Sequence, residues 1–205
     1  MRPPLLCLPM VLLLAPPLAP ARGQETERAD PEIVVSIDES GQSGHARASE
    51  LVRAPAAVIA GLIRSCPETL RIVPGLRECR VLESAPDGSW QIVRQVEDHW
   101  LLPTMTYEFR CTWESPTRVR LTRVAGDLRV LEGLWQMEPA HGATRVHYDV
   151  DVAPDFWVPR WMVKLALRHD LPKMLRALKA RAESIGEDRA APLAQDAHPA
   201  AGSSP

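Results

Sequence analysis

The stretch that decides the fold is Met105-Thr106-Tyr107-Glu108-Phe109-Arg110-Cys111-Thr112-Trp113, in which the odd-numbered residues are apolar and the even-numbered ones are polar. Side chains two residues apart in a strand point to the same face. The alternation therefore predicts a strand with one dry face and one wet face. The same rhythm returns over residues 144–152 and 128–138, and turn formers such as Pro86-Asp87-Gly88 separate the segments. This spacing predicts a meander of antiparallel strands.

Further elements are predicted on both sides of this meander. Upstream, Glu32–Asp38 and His45–Arg53 form a strand pair. A short amphipathic helix then begins near Pro55, where a missing N–H costs nothing. A second short helix over Pro67–Val73 ends at Pro74-Gly75.

A long helix is predicted over Pro159–Glu183, downstream of the meander. One face carries apolar residues at spacings of three and four, namely Val163, Leu167, Leu171, Met174 and Leu178. Pro172 either kinks this helix or divides it, with Asp170 as the cap of the second part.

The two ends of the chain are expected to lie outside the folded domain. Residues 1–23 have a positive Arg2, an uncharged apolar run and small residues before a cleavage point, as a signal peptide does. The alternative is a membrane anchor, but the run is short and interrupted by prolines. Residues 186–205 have little to bury and are expected to be disordered. One domain over residues 32–185, exported to the periplasm or secreted, is therefore predicted.

Charge and cysteine content exclude several classes of site. The net charge is −2 and no basic block occurs, so nucleic-acid binding is not predicted. Cys66, Cys79 and Cys111 fit no zinc spacing, and neither a metal nor a cofactor is expected. In an oxidising compartment two of them form a disulfide, or all three are buried thiols.

The order of elements resembles the helix-grip fold of the START-like (SRPBCC) superfamily, an α+β class that includes polyketide cyclases and coenzyme Q-binding proteins. The segments that carry the resemblance are Arg53–Val58, Ile72–Leu76, Gly133–Met137, Gly142–Val146 and Pro159. The resemblance implies a curved antiparallel sheet around a long C-terminal helix, with a hydrophobic tunnel between them for a lipid-like ligand. Ser65–Arg71 departs from coenzyme Q-binding relatives, because it lacks the aromatic residue often found there.

Candidate cavity residues are apolar or aromatic and lie on the predicted dry faces. They are Tyr107, Phe109, Trp113, Leu121, Trp135, Met137, Tyr148, Met162 and Leu165. Ordinary core packing is the alternative for each of them. Arg94 and Arg123 interrupt the patterns of their strands, so each either contacts a ligand headgroup or lies on the surface.

Catalytic patterns are sparse in the sequence, and no catalytic residue is assigned. Glu97-Asp98-His99 could supply a general base, but neighbouring strand residues point to opposite faces. A solvated strand end is the preferred interpretation. Trp157, Pro159, Trp161 and Met162 either anchor the start of the long helix, which is preferred, or cover the cavity mouth and contact a membrane transiently.

Three functions follow from these patterns. The first is binding or carrying a hydrophobic small molecule, such as an isoprenoid quinone, a polyketide or a lipid. The second is a cyclase or dehydratase that uses the same cavity, with help from a residue such as Asp98, His99 or Tyr107. The third is an interaction protein whose cavity is filled. The sequence does not determine the oligomeric state.

Overall fold

One antiparallel sheet of eight strands dominates the described part of the chain. The structure is a computed structural model that describes residues 30–37 and 43–195. Its elements are β1 (Glu32–Ile37), β2 (Gly44–Val52), α1 (Ala56–Arg64), α2 (Cys66–Ile72), β3 (Leu76–Ser84), β4 (Trp90–Glu97), β5 (Met105–Ser115), β6 (Arg118–Gly126), β7 (Leu128–Ala140), β8 (Ala143–Pro154) and α3 (Arg160–Gln195).

The strand order is β1-β2-β8-β7-β6-β5-β4-β3, and all neighbouring strands are antiparallel. The meander β3–β8 runs in sequence order, and β2 pairs with β8 to place the N-terminal hairpin beside the last strand. The core lies between one face of this sheet and α3. This arrangement confirms the predicted helix-grip architecture.

The helix α3 covers the dry face with the side predicted from its periodicity. Val163, Leu171 and Leu178 are buried, and Leu167 and Met174 pack against the core. The helix passes through Pro172 as one element, so the predicted alternative of a break is wrong. Asp170 consequently lies inside the helix and does not cap a second one.

Both predicted ends of the domain can be compared with the described residues only in part. The helix continues through Pro192 to Gln195, where a disordered tail was expected from Gly186. Residues 196–205 and the predicted signal peptide at residues 1–23 lie outside the described residues, as do residues 38–42 between the two strands of the predicted pair.

The strand β4 has its polar side chains on the buried face of the sheet. Gln91, Gln95 and Glu97 are buried with Val93, whereas Trp90, Ile92 and Val96 lie half-buried on the other face. The usual rule that apolar side chains mark the dry face would therefore assign this strand the wrong way round.

A disulfide joins α2 to the edge strand β3. Cys66 and Cys79 are bonded, with their Cα atoms 5.2 Å apart, within the normal range for a disulfide. Cys111 is a free, buried thiol, and burial raises its pKa to about 12. Of the two alternatives for the three cysteines, the structure therefore contains the disulfide with one thiol left over.

Candidate ligand cavity

Two adjoining cavities lie between the sheet and α3. The larger has a volume of about 190 Å³ and is lined mainly by apolar side chains of β5, β7, β8 and α3. The smaller has a volume of about 100 Å³ and lies towards α1, α2 and the disulfide. Val73, Gln95, Tyr148 and Met174 line both, so the two cavities are separated only by these side chains.

A polar cluster, which consists of Glu97, His99, Tyr107 and Asp170, lines the larger cavity. Glu97 lies at the end of β4, His99 follows it on the same side, Tyr107 comes from β5, and Asp170 comes from α3. Gly75 fixes the end of β4 through its left-handed backbone (φ +77°). A Cβ atom at Gly75 would lie 2.1 Å from the carbonyl oxygen of Asp98, so only glycine permits this close approach.

The Tyr107 hydroxyl connects Glu97 to Gln95. Its oxygen lies 2.6 Å from Glu97 Oε2 and 3.1 Å from Gln95 Oε1. A phenol has one hydrogen to donate. A protonated Glu97 satisfies both contacts, because it donates to the Tyr107 oxygen while the Tyr107 hydroxyl donates to Gln95.

Burial favours this protonated form of Glu97. The side chain is buried, and the loss of hydration raises the pKa of the Glu97 carboxyl, opposed by His99 and by the bond from Tyr107. Burial, together with the neighbouring Glu97, also raises the pKa of the Tyr107 phenol far above its usual range. Tyr107 therefore remains a neutral hydrogen-bonding group.

His99 lies between two carboxyl groups. Its Nε2 is 3.6 Å from Glu97 Oε1, and its Nδ1 is 3.6 Å from Asp170 Oδ2. Burial tends to lower the pKa of His99, but the bond to Asp170 and the charges of Glu97 and Asp170 outweigh it and leave the pKa raised. Burial acts against ionisation of Asp170 too, yet His99 and His169 hold its pKa below the usual value.

Nε2 of His99 is buried and has no hydrogen-bond partner among the described residues. A buried imidazole nitrogen without a partner is costly. The cluster therefore offers one unused polar atom beside the cavity.

Five of the nine predicted cavity residues line the two cavities. Tyr107 lines the larger cavity, Phe109, Leu121 and Trp135 line the smaller one, and Tyr148 lines both. Tyr148 stacks on Trp135 with ring centroids 4.0 Å apart.

The other four predicted cavity residues lie elsewhere. Trp113 lies near the end of β5 beneath the Arg64 guanidinium, 3.9 Å from its ring centroid, and Met137 is buried outside either lining. Met162 is half-buried in the first turn of α3 and lines neither cavity. Leu165 is exposed, because it lies on the opposite side of α3 from the buried Val163.

Neither predicted headgroup arginine reaches the cavities. Arg94 is exposed, because the inner face of β4 carries its odd-numbered residues. The Arg123 guanidinium donates to the carbonyl oxygens of Leu128 and Gly126 in the β6–β7 turn, so it holds that turn in place.

The preferred interpretation of residues 97–99 as a solvated strand end is wrong for two of the three residues. Glu97 and His99 both face the interior, while Asp98 points away and pairs with Arg77 and Thr104. The i and i+2 spacing of Glu97 and His99, on the same face as Gln95, was the signal in the sequence that could have indicated this.

Aromatic side chains are exposed around the start of α3. Trp157 is 76% and Trp161 58% exposed, so the preferred interpretation that they anchor the helix is wrong. Val158 and Val163 are buried and provide that anchor instead. Trp100, in the β4–β5 loop, is also exposed and contacts His169 of α3.

Three side chains on the outer face could hold a metal ion by distance alone. The ligand atoms of His45, Asp149 and Asp151 lie within 4.8 Å of one another. However, His45 Nδ1 already lies 2.9 Å from Asp151, and Arg47 donates to Asp149 at 2.7 Å. These side chains are partly exposed and already bonded to one another, so they form a polar group on the sheet surface.

Comparison with solved structures shows the same fold in proteins of low sequence identity. A STAR-related lipid transfer protein from Xanthomonas axonopodis is 16% identical with a TM-score of 0.63, covering 75% of this chain and 94% of its own. The Zhui aromatase/cyclase from Streptomyces sp. R1128 is 16% identical with a TM-score of 0.60, covering 69% and 94%. The human StarD13 (DLC2) lipid transfer and protein localization domain is 16% identical with a TM-score of 0.58, covering 78% and 85%.

Sequence comparison gives a family but no individual relative. No curated protein matches the chain. The family model described as "Polyketide cyclase / dehydrase and lipid transport" matches residues 52–179, which is more than half of the 205 residues. The match runs from the end of β2 into α3 and so includes every element that lines the two cavities. The chain therefore belongs to the polyketide cyclase/dehydrase and lipid transport family of the START-like superfamily.

Proposed function

We propose that this protein binds or carries a hydrophobic small molecule, such as an isoprenoid quinone, a polyketide or a lipid, in the space between the sheet and α3. The observation that carries the proposal is the open, mainly apolar cavity with one polar cluster in its wall. Such a combination is typical of small-molecule sites, whose volumes run from about 300 to 1,000 Å³. The two adjoining cavities together approach the lower end of that range.

Native mass spectrometry of protein purified from its own host, followed by lipid extraction, tests this proposal. We expect a recurrent hydrophobic adduct on the wild-type protein. Ala166 is buried and lines the larger cavity, so Ala166→Phe fills the space and removes the adduct. Ala180 is exposed on the same helix, and Ala180→Phe is the matched control. An interior that stays free of ligand in the wild type contradicts the proposal and favours the interaction protein.

A second candidate is catalysis of the cyclase or dehydratase type. The convergence of Glu97, His99 and Tyr107 favours it, because an acid–base catalyst needs at least two titratable groups in one cavity. A catalyst changes its ligand, so the extracted molecule from Glu97→Gln protein would differ in mass from that of the wild type, for example by one water. Identical extracts from the two proteins favour the carrier.

Transient contact with a membrane is part of the proposal. The exposed Trp157 and Trp161 lie near the helix segment that closes the larger cavity, and Arg160, Lys164 and Arg168 recur every four residues beside them. Aromatic and basic side chains together suit an anionic lipid surface. No helix among the described residues has the length and apolar content needed to cross a bilayer.

Co-sedimentation with vesicles of phosphatidylglycerol and phosphatidylcholine tests the membrane contact. We expect the wild type to bind and the double variant Trp157→Ser/Trp161→Ser to lose most of that binding. Val34 is equally exposed on β1, so Val34→Ser is the control and should bind as the wild type does. Binding that survives the double substitution contradicts the role of these aromatics.

Export is also a proposal, supported by the signal-like pattern of residues 1–23 and by the Cys66–Cys79 disulfide, a bond that persists in oxidising compartments. Mature protein from the host should begin after residue 23 and should show one free thiol after denaturation, that of Cys111. Intact-mass and thiol titration measure both. Three free thiols in the native preparation would contradict the oxidising location.

A further inference from the structure

The lining of the larger cavity contains two carboxyl groups and one imidazole, those of Glu97, Asp170 and His99. Its other titratable groups are the phenols of Tyr107 and Tyr148. No lysine or arginine belongs to that lining among the described residues. The lining therefore has no permanent cation to pair with an anionic ligand.

The cluster is close to electrically neutral by itself. The Asp170 carboxylate faces His99, and its bond and charge favour the imidazolium form. Glu97 is bonded to the Tyr107 hydroxyl, which also contacts Gln95, and a protonated Glu97 carboxyl makes both of these contacts favourable. An anionic group placed here would add a negative charge that no further positive charge in the lining compensates, which is unfavourable in a dry cavity.

The hydrogen-bonding capacity of the cluster is nevertheless incomplete. His99 Nε2 is a buried polar atom without a partner, and in the imidazolium form it is a donor. A carbonyl or hydroxyl oxygen on a ligand can accept such a bond without adding charge. The apolar side chains of Leu131, Val150 and Leu171 surround the rest of the molecule.

We infer that the larger cavity selects hydrophobic molecules whose polar end is an uncharged carbonyl or hydroxyl group, and discriminates against molecules that end in a carboxylate or phosphate. The inference rests on the proposed function and specifies the chemical class of its ligand. His99 contacts the neutral end, and Asp170 acts as a positioning residue through His99.

Equilibrium dialysis of the full chain at pH 7 with three naphthalene probes tests the inference. The neutral probes are 2-naphthol and 2-acetonaphthone, and the anionic probe is 2-naphthoate, so the apolar body is constant. We expect the neutral probes to bind with Kd values lower by about tenfold or more, equivalent to about 1.4 kcal/mol or more. Equal Kd values, or tighter binding of 2-naphthoate, would overturn the inference and leave the proposed function intact. If none of the three probes binds, both fail.

Two variants that each remove one acidic charge test the part played by the cluster. Asp170→Asn frees His99 to pair with a ligand carboxylate, so the preference for neutral probes should fall at least about threefold. Asp98→Asn removes a charge one residue from His99 but on the outward side, where Asp98 pairs with Arg77 and Thr104, and should change the preference much less. The same change in both variants would show a general charge effect and would overturn the inference. Circular dichroism confirms that each variant is folded before its preference is compared.

Discussion

The inner faces of β4 and β8 line the same space with opposite chemistry. In β8 the buried positions include Val146, Tyr148 and Val150, as the alternating sequence predicts, and only Thr144 among the six buried positions is not apolar or aromatic. In β4 three of the four buried positions are polar, namely Gln91, Gln95 and Glu97. Strand β8 therefore stabilises the fold by burying apolar side chains. Strand β4 keeps polar groups in the dry interior, where burial costs stability unless they are bonded. Gln91 donates to the Arg64 carbonyl oxygen, and Gln95 and Glu97 are bonded to Tyr107, so these bonds offset the cost.

The largest effect is expected from making β8 resemble β4. Val150→Glu places a carboxyl on the apolar wall without the partners that Glu97 has. An unpaired buried charge destabilises a protein by about 3–5 kcal/mol, and urea unfolding at pH 7 measures the loss. Val124 is exposed on β6, and Val124→Glu should change the free energy of unfolding little. A Val150→Glu protein as stable as the wild type would show that any inner position tolerates a carboxyl.

A smaller loss is expected from removing one hydroxyl on the β4 side. Tyr107→Phe leaves Glu97 and Gln95 buried without their shared partner. Leaving buried polar groups unsatisfied costs about 1–3 kcal/mol, measurable as a lower urea midpoint. Tyr148→Phe removes the same hydroxyl from β8. Among the described residues the Tyr148 hydroxyl has no hydrogen bond to the polar cluster, so this variant should lose less stability. Equal losses of stability in the two variants would show that the Tyr107 hydroxyl is no more important to the fold than the Tyr148 hydroxyl.

The pH dependence of stability should show that folding raises the pKa of Glu97. Because burial raises the pKa of Glu97 in the folded state, its contribution is fully present below the ordinary value of 4.5 and is lost as pH rises through the folded value. Glu97→Gln should therefore gain stability relative to the wild type as the pH rises above 4.5. Each unit of pKa difference is equivalent to about 1.4 kcal/mol.

His99 contributes a pH dependence of the same sign, because its folded pKa is also raised. The comparison between wild type and Glu97→Gln reports the Glu97 carboxyl together with the part of the His99 shift that its charge causes, because Glu97 helps to raise the pKa of His99. Glu108 is partly exposed on the outer face of β5, and Glu108→Gln provides the control. A stability difference between wild type and Glu97→Gln that does not change with pH would show that Glu97 titrates as an ordinary carboxyl.

The smallest effect is expected at Arg94, the exposed residue between the buried Val93 and Gln95. Arg94→Ala should change the free energy of unfolding by no more than about 0.5 kcal/mol, and the Kd of 2-naphthol should not change. A marked loss of binding would mean that the outward face of β4 also takes part in recognition.

The sequence predicted the architecture well because most elements have local patterns. The alternation in β5 and β8 and the apolar stripe of α3 identify the dry face without knowledge of the partner element. The strand β4 was different, because its apolar Trp90, Ile92 and Val96 lie on the outer face. The pattern of β4 therefore suggests a ligand contact for Arg94, but the residue is exposed on the outer face.

The polar cluster could not be predicted as a unit. Glu97 and His99 are close in sequence, but Asp170 joins them only because α3 crosses the sheet at that point. The pairing of Tyr107 with Glu97 depends on the register between β4 and β5, in which Gln95 lies opposite Tyr107. No local pattern contains that register. The direction of Leu165 likewise depended on the rotation of α3 about its axis.

The placement of β3 at the rim of the sheet has a consequence for how the molecule behaves in a crowded solution. One side of this strand pairs with no other strand among the described residues, and such an edge invites another chain to add a strand. Arg77, Glu78, Arg80 and Glu83 are exposed along it, and the bond from Cys79 to Cys66 fastens it to α2. Charged side chains repel an incoming strand. Chain in which Cys66 and Cys79 are reduced keeps the charges but loses the covalent attachment of β3 to α2, so we expect it to self-associate more readily.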